Sequence, residues 1–248
     1  MQQNLAILAE TRMADVIHLD YRLITILGRF GIEFGFGNKS VEEVCLDYGV
    51  DCRFFLEITN SFHNPEYFPQ KELQRFNVSL ILDYLRNTHE FYVEIKIPEI
   101  QAYIDEMEEN ASSNQQKSIV HLNQFFREYT EELREHLSRE DESVFPYIRA
   151  LQKAYESKEV PEDLYQEMLK DPIRTYEKNH DNLEIKLSDL KNLIIKYLPP
   201  ISSKDCRKLL FELFRLESDL ENHARIEDKV LIPKVIMIEN ELLEYHGS

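Results

Sequence analysis

The sequence predicts an all-α protein in which a four-helix bundle follows a small helical N-terminal domain. Only six of the 248 residues are glycine, whereas strong helix formers such as Leu, Glu and Lys are abundant. Apolar residues recur at helical spacing along four long segments, and one motif containing a histidine and a glutamate occurs twice. These three observations favour long amphipathic helices that each bury one face, as the helices of a bundle do.

Composition and charge exclude several classes of protein. The net charge of −17 leaves no basic surface for a phosphate backbone or an anionic membrane, so neither nucleic acid nor membrane is a predicted partner. The N-terminal residues do not resemble a signal peptide, and no apolar run is long enough to span a bilayer. Cys45, Cys52 and Cys206 lack the spacing of a disulfide framework or zinc site, which indicates reduced thiols. A cytoplasmic location is therefore predicted.

The first domain is predicted over residues 1–72 as short helices joined by tight turns. Ser40 followed by Glu43 has the spacing of a capping box, and Asp51 is placed to cap the next short helix. The two prolines within residues 63–69 indicate a linker that ends this part of the chain.

Residues 73–248 are predicted to form the bundle. In this part of the chain apolar side chains recur every three or four residues, with breaks at polar and proline-rich segments. Pro98 is expected to kink the first helix, because proline lacks an N–H donor and its ring meets the preceding turn. The four helices are expected to start near Leu73, Lys117, Ile173 and Ser202 or Ser203.

The most informative feature of the sequence is an internal repeat. Residues 136–146 and 223–233 both read H-x-x-x-E-D-x-x-Φ-Φ-P, where Φ is apolar. A single histidine precedes each copy at a similar distance, His89 in the first half and His180 in the second. Each half is therefore a helical hairpin with the same polar residues, and two such hairpins make one bundle with approximate two-fold symmetry.

The spacing within each motif suits metal binding. A histidine and a glutamate four residues apart lie on the same face of a helix, and facing helices of a bundle can project such side chains inward. One such motif alone is usually a solvated pair, and one helix histidine is usually structural, but their repetition favours a metal centre. Imidazole nitrogens and carboxylate oxygens without thiolates favour iron or manganese, whereas zinc more often takes four ligands.

The remaining histidines lack this pattern and are interpreted as ordinary ones: His18, His63, His121 and His246. His121 shares a predicted helix with His136 but lies about 22 Å away along it. These two side chains therefore cannot serve one centre.

The repeated motifs resemble the hemerythrin-like (HHE cation-binding) domain, and more specifically the di-iron proteins that repair iron–sulfur clusters. The resemblance covers nearly the whole chain, with a small N-terminal domain before a hemerythrin-like bundle. It implies two iron ions per chain with an oxo or hydroxo bridge, and manganese or zinc as less favoured metals. The glutamates of the two motifs are the implied bridges between the metals. The implied ligands are His89, His136, Glu140, His180, His223 and Glu227.

The sequence departs from the family pattern at two places. The family's N-terminal domain usually has adjacent cysteines where residues 34–38 here read Phe-Gly-Phe-Gly-Asn. The family also usually has another histidine before the first motif, and residues 105–114 contain none. A carboxylate of Glu106, Glu108 or Glu109 replaces it, or one metal keeps an open position, or the second metal position is poorly filled.

The resemblance implies a cytoplasmic non-haem di-iron protein of the response to oxidative or nitrosative stress. Such a protein binds O2, NO or peroxide, or supplies iron for iron–sulfur cluster repair. An alternative is a metal- or gas-dependent sensor that acts through a protein partner, and a third is a bundle that keeps its metal for stability alone. Tyr129 and Tyr176 are interpreted as hydrogen-bond donors beside the metal or as core aromatics. The sequence leaves catalysis and oligomeric state open, a homodimer included.

Overall fold

The computed structural model describes residues 5–170, 172–173, 181–197 and 203–246. Within these ranges the chain is built of helices and contains no β-strand, which confirms the all-α prediction. The chain divides into two compact units, one of Met1–Thr88 with Lys229–Leu231 and one of His89–Asp228 with Ile232–Ser248. The division of the sequence into domains of residues 1–72 and 73–248 stays a prediction.

In the first unit the chain turns through short helices around an aromatic core. Phe54 lies edge-on to both Phe76 and Tyr84. The side-chain amide of Asn87 donates a hydrogen bond to the Arg29 carbonyl (2.7 Å), which ties two helix ends together. The helices in chain order are α1 (Met13–Leu19), α2 (Leu23–Arg29), α3 (Val41–Tyr48), α4 (Cys52–His63), α5 (Gln70–Leu73) and α6 (Val78–Glu90).

Local side-chain caps set the starts of α3 and α4. The Ser40 hydroxyl accepts a hydrogen bond from the Glu43 N–H (3.2 Å), and the Glu43 carboxylate accepts one from the Ser40 N–H (2.7 Å). The Asp51 carboxylate accepts a hydrogen bond from the Phe54 N–H (2.9 Å). Each cap satisfies backbone donors that have no partner inside the helix. Both predicted caps are confirmed.

In the described part of the remaining chain, longer amphipathic helices are joined by three π-helical segments. Among the described helices, none combines the length and the apolar character that a membrane crossing needs. The elements are π1 (Phe91–Lys96), α7 (Ile97–Glu109), α8 (Gln116–Arg139), π2 (Glu140–Val144), α9 (Phe145–Ser157), α10 (Glu162–Lys170), α11 (Asp181–Tyr197), α12 (Ser203–Ile226), π3 (Glu227–Leu231) and α13 (Ile232–His246).

Four of these helices form the predicted bundle. Both α7 and α11 pack on α8 and on α12, so each helix has two neighbours in a closed ring. The region expected to begin the third helix, near Ile173, is only partly described, and its described helix begins at Asp181. Side chains from all four helices meet in one apolar core, whose fully buried members include Ile100, Ile104, Ile119, Leu122, Phe126, Leu190, Leu209 and Leu213.

The capping box at α3 gives a stability prediction. Ser40→Ala removes the acceptor for the Glu43 N–H, and we expect the free energy of unfolding to fall by about 1 kcal/mol. Urea denaturation followed by circular dichroism measures the change. The matched control is Ser113→Ala in the exposed loop before α8, which we expect to be neutral. Equal stabilities of the two variants would contradict the capping role.

Candidate metal centre

Four buried side chains converge inside the second unit. His89, Glu140, His223 and Glu227 each present a nitrogen or oxygen atom within 4.8 Å of the others. All four residues are at most 5 % exposed. They come from helix ends: His89 lies in the last turn of α6 and His223 in the last turn of α12, while Glu140 and Glu227 open π2 and π3. Both predicted motifs therefore contribute to one cluster.

The distances within this cluster are those of neighbouring metal ligands. The Nε2 atoms of His89 and His223 are 3.1 Å apart, and His223 Nε2 lies 3.2 Å from Glu227 Oε1. Two ligands at right angles, each about 2.1 Å from one ion, are separated by about 3.0 Å. The three side chains are therefore spaced to share one cation.

Glu140 lies between two imidazoles and faces each with a different oxygen. Its Oε2 is 3.5 Å from His89 Nε2, and its Oε1 is 3.3 Å from His136 Nε2. A carboxylate in this position can hold one metal with each oxygen, as the predicted bridge requires. The structure thus brings together five of the six predicted ligands, and their role as ligands stays a prediction.

The remaining predicted residues of the site are not all placed by the structure. His180, the sixth predicted ligand, and Tyr176 lie outside the described residues. Tyr129 is buried, and its hydroxyl has no hydrogen-bond partner among the described residues. Burial and the nearby charge of Glu217 raise the pKa of Tyr129. Tyr92, which the sequence analysis did not single out, packs its ring edge-on against His223 (5.9 Å between centroids).

The carboxylates suggested as substitutes for the missing family histidine lie far from this cluster. Glu106, Glu108 and Glu109 are all in the last turn of α7. Glu108 accepts a hydrogen bond from the side-chain amide of Asn123 (2.6 Å). Asn123 is about 20 Å from His136 along α8, at about 1.5 Å per residue. The structure therefore contradicts a carboxylate replacement from this segment, because α7 carries these side chains away from the centre.

The donor atoms of the cluster fit a cation. Two carboxylates this deeply buried, Glu140 and Glu227, are unfavourable in an apolar core without positive charge beside them. Imidazole nitrogens and carboxylate oxygens together suit iron, manganese or zinc rather than calcium or magnesium. A transition-metal ion held by His89, His223 and the two glutamates satisfies both requirements at once.

Three π-helical segments set the positions of the candidate ligands. In an α-helix a proline leaves one carbonyl without its donor, and its ring clashes with the carbonyl four residues earlier. A π turn relieves both problems by adding one residue to the turn, and such turns are frequent at functional sites. Pro98 was expected to kink its helix, and the structure places π1 directly before α7, in which Pro98 is the second residue. The second residue after each of π1, π2 and π3 is a proline, respectively Pro98, Pro146 and Pro233.

The hydrogen bonds of π2 and π3 start at the glutamates themselves. The Phe145 N–H donates to the Glu140 carbonyl, and the Ile232 N–H donates to the Glu227 carbonyl, in each case five residues back. Each glutamate is therefore held at the first residue of a widened turn. The prolines of the repeated motif were visible in the sequence, but their connection with π turns was missed.

Comparison with known proteins agrees with this centre. Residues 81–235, more than half of the chain, match the model of the hemerythrin HHE cation binding domain. The chain belongs to this family. It is also similar to the iron-sulfur cluster repair protein ScdA of Staphylococcus haemolyticus (strain JCSC1435), with 22% identity over 211 residues, which is 84% of this chain and 90% of that protein. All four side chains of the cluster lie within the residues that match this cation binding domain.

An aspartate that the sequence analysis did not single out orients one histidine of the hemerythrin-type centre. His89 Nδ1 lies 3.1 Å from Asp141 Oδ1, and the ring stacks on Phe145. Because a carboxylate only accepts hydrogen bonds, Nδ1 carries the proton and the Nε2 lone pair faces the cluster. Burial alone lowers the pKa of His89, but Asp141 and the nearby glutamate charges outweigh burial and raise it. The repeated Glu-Asp pair of the motif was the signal for this role.

A narrow cavity of about 40 Å³ adjoins the centre between α8, α11 and α12. His136 and His223 line it on the side of the cluster, and Glu184 and Glu217 are its acidic residues. A cavity of this size has room for a water or a diatomic molecule. Its other lining residues are apolar: Leu133, Leu137, Leu183, Leu187, Leu220 and Ala224.

The Asp141–His89 contact gives a prediction about metal affinity. Asp141→Asn replaces a charged acceptor by a weaker neutral one, and we expect metal affinity to fall about 10- to 100-fold. Anaerobic competition between the protein and a chromophoric chelator for Fe(II) measures the dissociation constant. Glu142→Gln makes the same charge change at the next, exposed residue and serves as the control. Equal metal affinities of the two variants would show that Asp141 does not contribute to metal binding.

The raised pKa of His89 gives a pH prediction for the metal-free protein. A histidine whose pKa is higher in the folded than in the unfolded protein stabilises the folded state. This stabilisation is fully present below the pKa of the unfolded state, about 6.5, and is lost as the pH rises through the pKa of the folded state. We therefore expect the melting temperature of wild type to exceed that of His89→Gln by more at about pH 5.5 than at about pH 8. His121→Gln, at an exposed position, controls for a histidine substitution alone. A difference that is independent of pH contradicts the prediction.

Proposed function

We propose that this chain is a cytoplasmic non-haem di-iron protein of the response to oxidative or nitrosative stress. The main support for the proposal is the position of Glu140. Its side chain is buried between His89 and His136, and one carboxylate oxygen faces each histidine. A second buried carboxylate, Glu227, lies in the same cluster. Two carboxylates and several imidazoles suit a pair of iron ions better than one zinc ion with four ligands.

The side chains of the centre would act as a fixed frame for the metals. Iron, when bound, supplies one-electron redox chemistry and a coordination position for a small ligand. Asp141 fixes the His89 tautomer, so its Nε2 faces inward without reorganisation. The leucines around the cavity give an apolar lining to the side of His136 and His223. The cavity volume suits O2 or NO, and peroxide is the largest ligand we propose.

Iron supply for iron–sulfur cluster repair is the cellular role we favour for this centre. The name of the staphylococcal relative supports it, since the similarity extends over most of both chains. The position of His136 also supports it: this residue lies 3.3 Å from Glu140 and lines the cavity, so a metal held by the pair would border the cavity. Release of iron from that position would leave the ligands His89, His223 and Glu227 in place.

The proposal predicts the iron content of the protein. Anaerobic loading with Fe(II), followed by desalting and metal analysis, is expected to give about two iron ions per chain. Glu140→Ala removes the proposed bridge and is expected to leave about one ion or fewer. His121→Ala, outside the cluster, is expected to bind as wild type does. Fewer than about one iron per wild-type chain, or tighter binding of zinc or manganese than of iron in parallel titrations, contradicts a di-iron centre.

A transfer experiment tests the repair role separately. An iron–sulfur dehydratase inactivated by peroxide or NO is incubated with iron-loaded protein, and its activity is measured over time. We expect recovery with iron-loaded wild type, and recovery no faster than with an equal amount of free Fe(II) for Glu140→Ala. If loaded wild type also performs no better than free Fe(II), the centre binds iron but does not deliver it.

A metal-dependent sensor is the second candidate, and one observation favours it. The first unit exposes large apolar side chains, with Tyr21 63%, Phe34 66% and Leu46 81% accessible. Where exposed apolar side chains form one continuous patch, they are typical of partner surfaces. In a sensor, metal binding changes the dynamics of this unit. Hydrogen–deuterium exchange over residues 20–50, compared between iron-loaded and metal-free protein, tests this, and identical exchange rejects it.

A further inference from the structure

The prolines of the repeated motif deprive one backbone carbonyl in each of π2 and π3 of its α-helical donor. In an α-helix each carbonyl accepts a hydrogen bond from the N–H four residues later, and proline has no N–H. In π3 the carbonyl concerned is that of Lys229, four residues before Pro233. In π2 it is that of Glu142, four residues before Pro146. A donor from another part of the chain can therefore decide how firmly such a turn is held.

In π3 this donor is a side chain of the first unit. The side-chain amide of Gln74 donates a hydrogen bond to the Lys229 carbonyl (3.0 Å), although the two residues are 155 positions apart in the sequence. The first unit includes Lys229–Leu231, so the contact lies within one compact unit. The Gln74 amide thus supplies the hydrogen bond that Pro233 cannot make.

The backbone around Gln74 is fixed, so its amide is already in place for this bond. Gln74 follows α5, and its backbone N–H donates to the Gln70 carbonyl (3.0 Å). On one side of it Leu73 is buried, and on the other side Phe76 lies edge-on to Phe54. The chain is therefore anchored in the core of the first unit both before and after Gln74.

We propose that Gln74 is a positioning residue for the metal centre: its amide holds π3 in the widened form that places Glu227. This role rests on the proposed function, in which Glu227 is a metal ligand. Val230 and Leu231 hold π3 through their buried side chains. Gln74 holds the preceding residue, Lys229, through its carbonyl. Three successive residues that begin two positions after the ligand are thus held in place.

The hydrogen bond from Gln74 affects how often π3 opens. The Ile232 N–H donates to the Glu227 carbonyl and closes the widened turn. Without the Gln74 amide, the Lys229 carbonyl depends on water for a donor in its place, and local opening of the turn becomes easier. Each opening frees the backbone of Glu227 and lets its carboxylate leave a bound metal. Metal retention is therefore linked to a contact that the first unit makes.

Hydrogen–deuterium exchange of the metal-free protein tests the hold on π3. Gln74→Leu removes the donor at similar size, and we expect exchange in peptides that cover π3 to become about three- to tenfold faster, the contribution of one neutral hydrogen bond. Exchange in π2, the matched turn of the first motif, should not change. Gln74→Lys brings a new donor and should restore slow exchange. Gln70→Leu, at an exposed position of α5, controls for the substitution itself.

Fe(II) affinity tests the link to the metal centre. In anaerobic chelator competition, Gln74→Leu should weaken Fe(II) binding about three- to tenfold, and Gln74→Lys should bind as wild type does. Faster exchange in π3 with unchanged Fe(II) affinity overturns the proposal, as does equally faster exchange in π2, which would show a general loss of stability. Equal exchange of Gln74→Leu and Gln70→Leu overturns it too. If wild type binds no iron, the proposed function fails and the positioning role with it, whereas exchange in π3 still decides whether Gln74 holds the turn.

Discussion

The burial of Glu140 and Glu227 is the constraint on which the bundle's chemistry depends. A carboxylate deep in an apolar core is tolerated only beside a compensating positive charge and hydrogen-bond donors. Elsewhere the bundle core is built from leucine, isoleucine and phenylalanine, which make no such demand. A metal ion is a group whose charge and coordination would suit the nitrogen and oxygen donors of this cluster.

The cluster also joins the two halves of the repeat. His89 and Glu140 come from the first half of the bundle sequence, and His223 and Glu227 come from the second. A cation that binds all four therefore holds both helical hairpins together, and its binding free energy adds to that of the apolar contacts between them. Metal binding and bundle formation are coupled in this arrangement, as expected for a site that takes its ligands from distant parts of one chain.

The sequence predicted those features that depend on local periodicity. The capping box at Ser40 and the ring of four helices follow from residue spacing, and the same spacing placed Glu140 beside His136. Contacts that depend on how separate segments meet were not predictable in this way. The pairing of Asp141 with His89 requires two segments of the chain to meet in register. The carboxylate of Glu108 was a candidate ligand in the sequence, but α7 places it far along the bundle from the centre.

The π segments affect which deletions this protein can tolerate in evolution. Loss of one residue from π2, for example Glu142 or Ser143, would let the helix continue as a regular α-helix on both sides. Pro146 would still interrupt one hydrogen bond, yet the chain after the deletion would keep its direction, because five residues of a π turn sweep about the same angle as four residues of an α-helix. The apolar core of α8 precedes the deletion and would remain intact. A single-codon deletion would therefore change only the widened turn that begins at Glu140, and persistence of the extra residue in both halves of a lineage would record selection for the placement of the two glutamates.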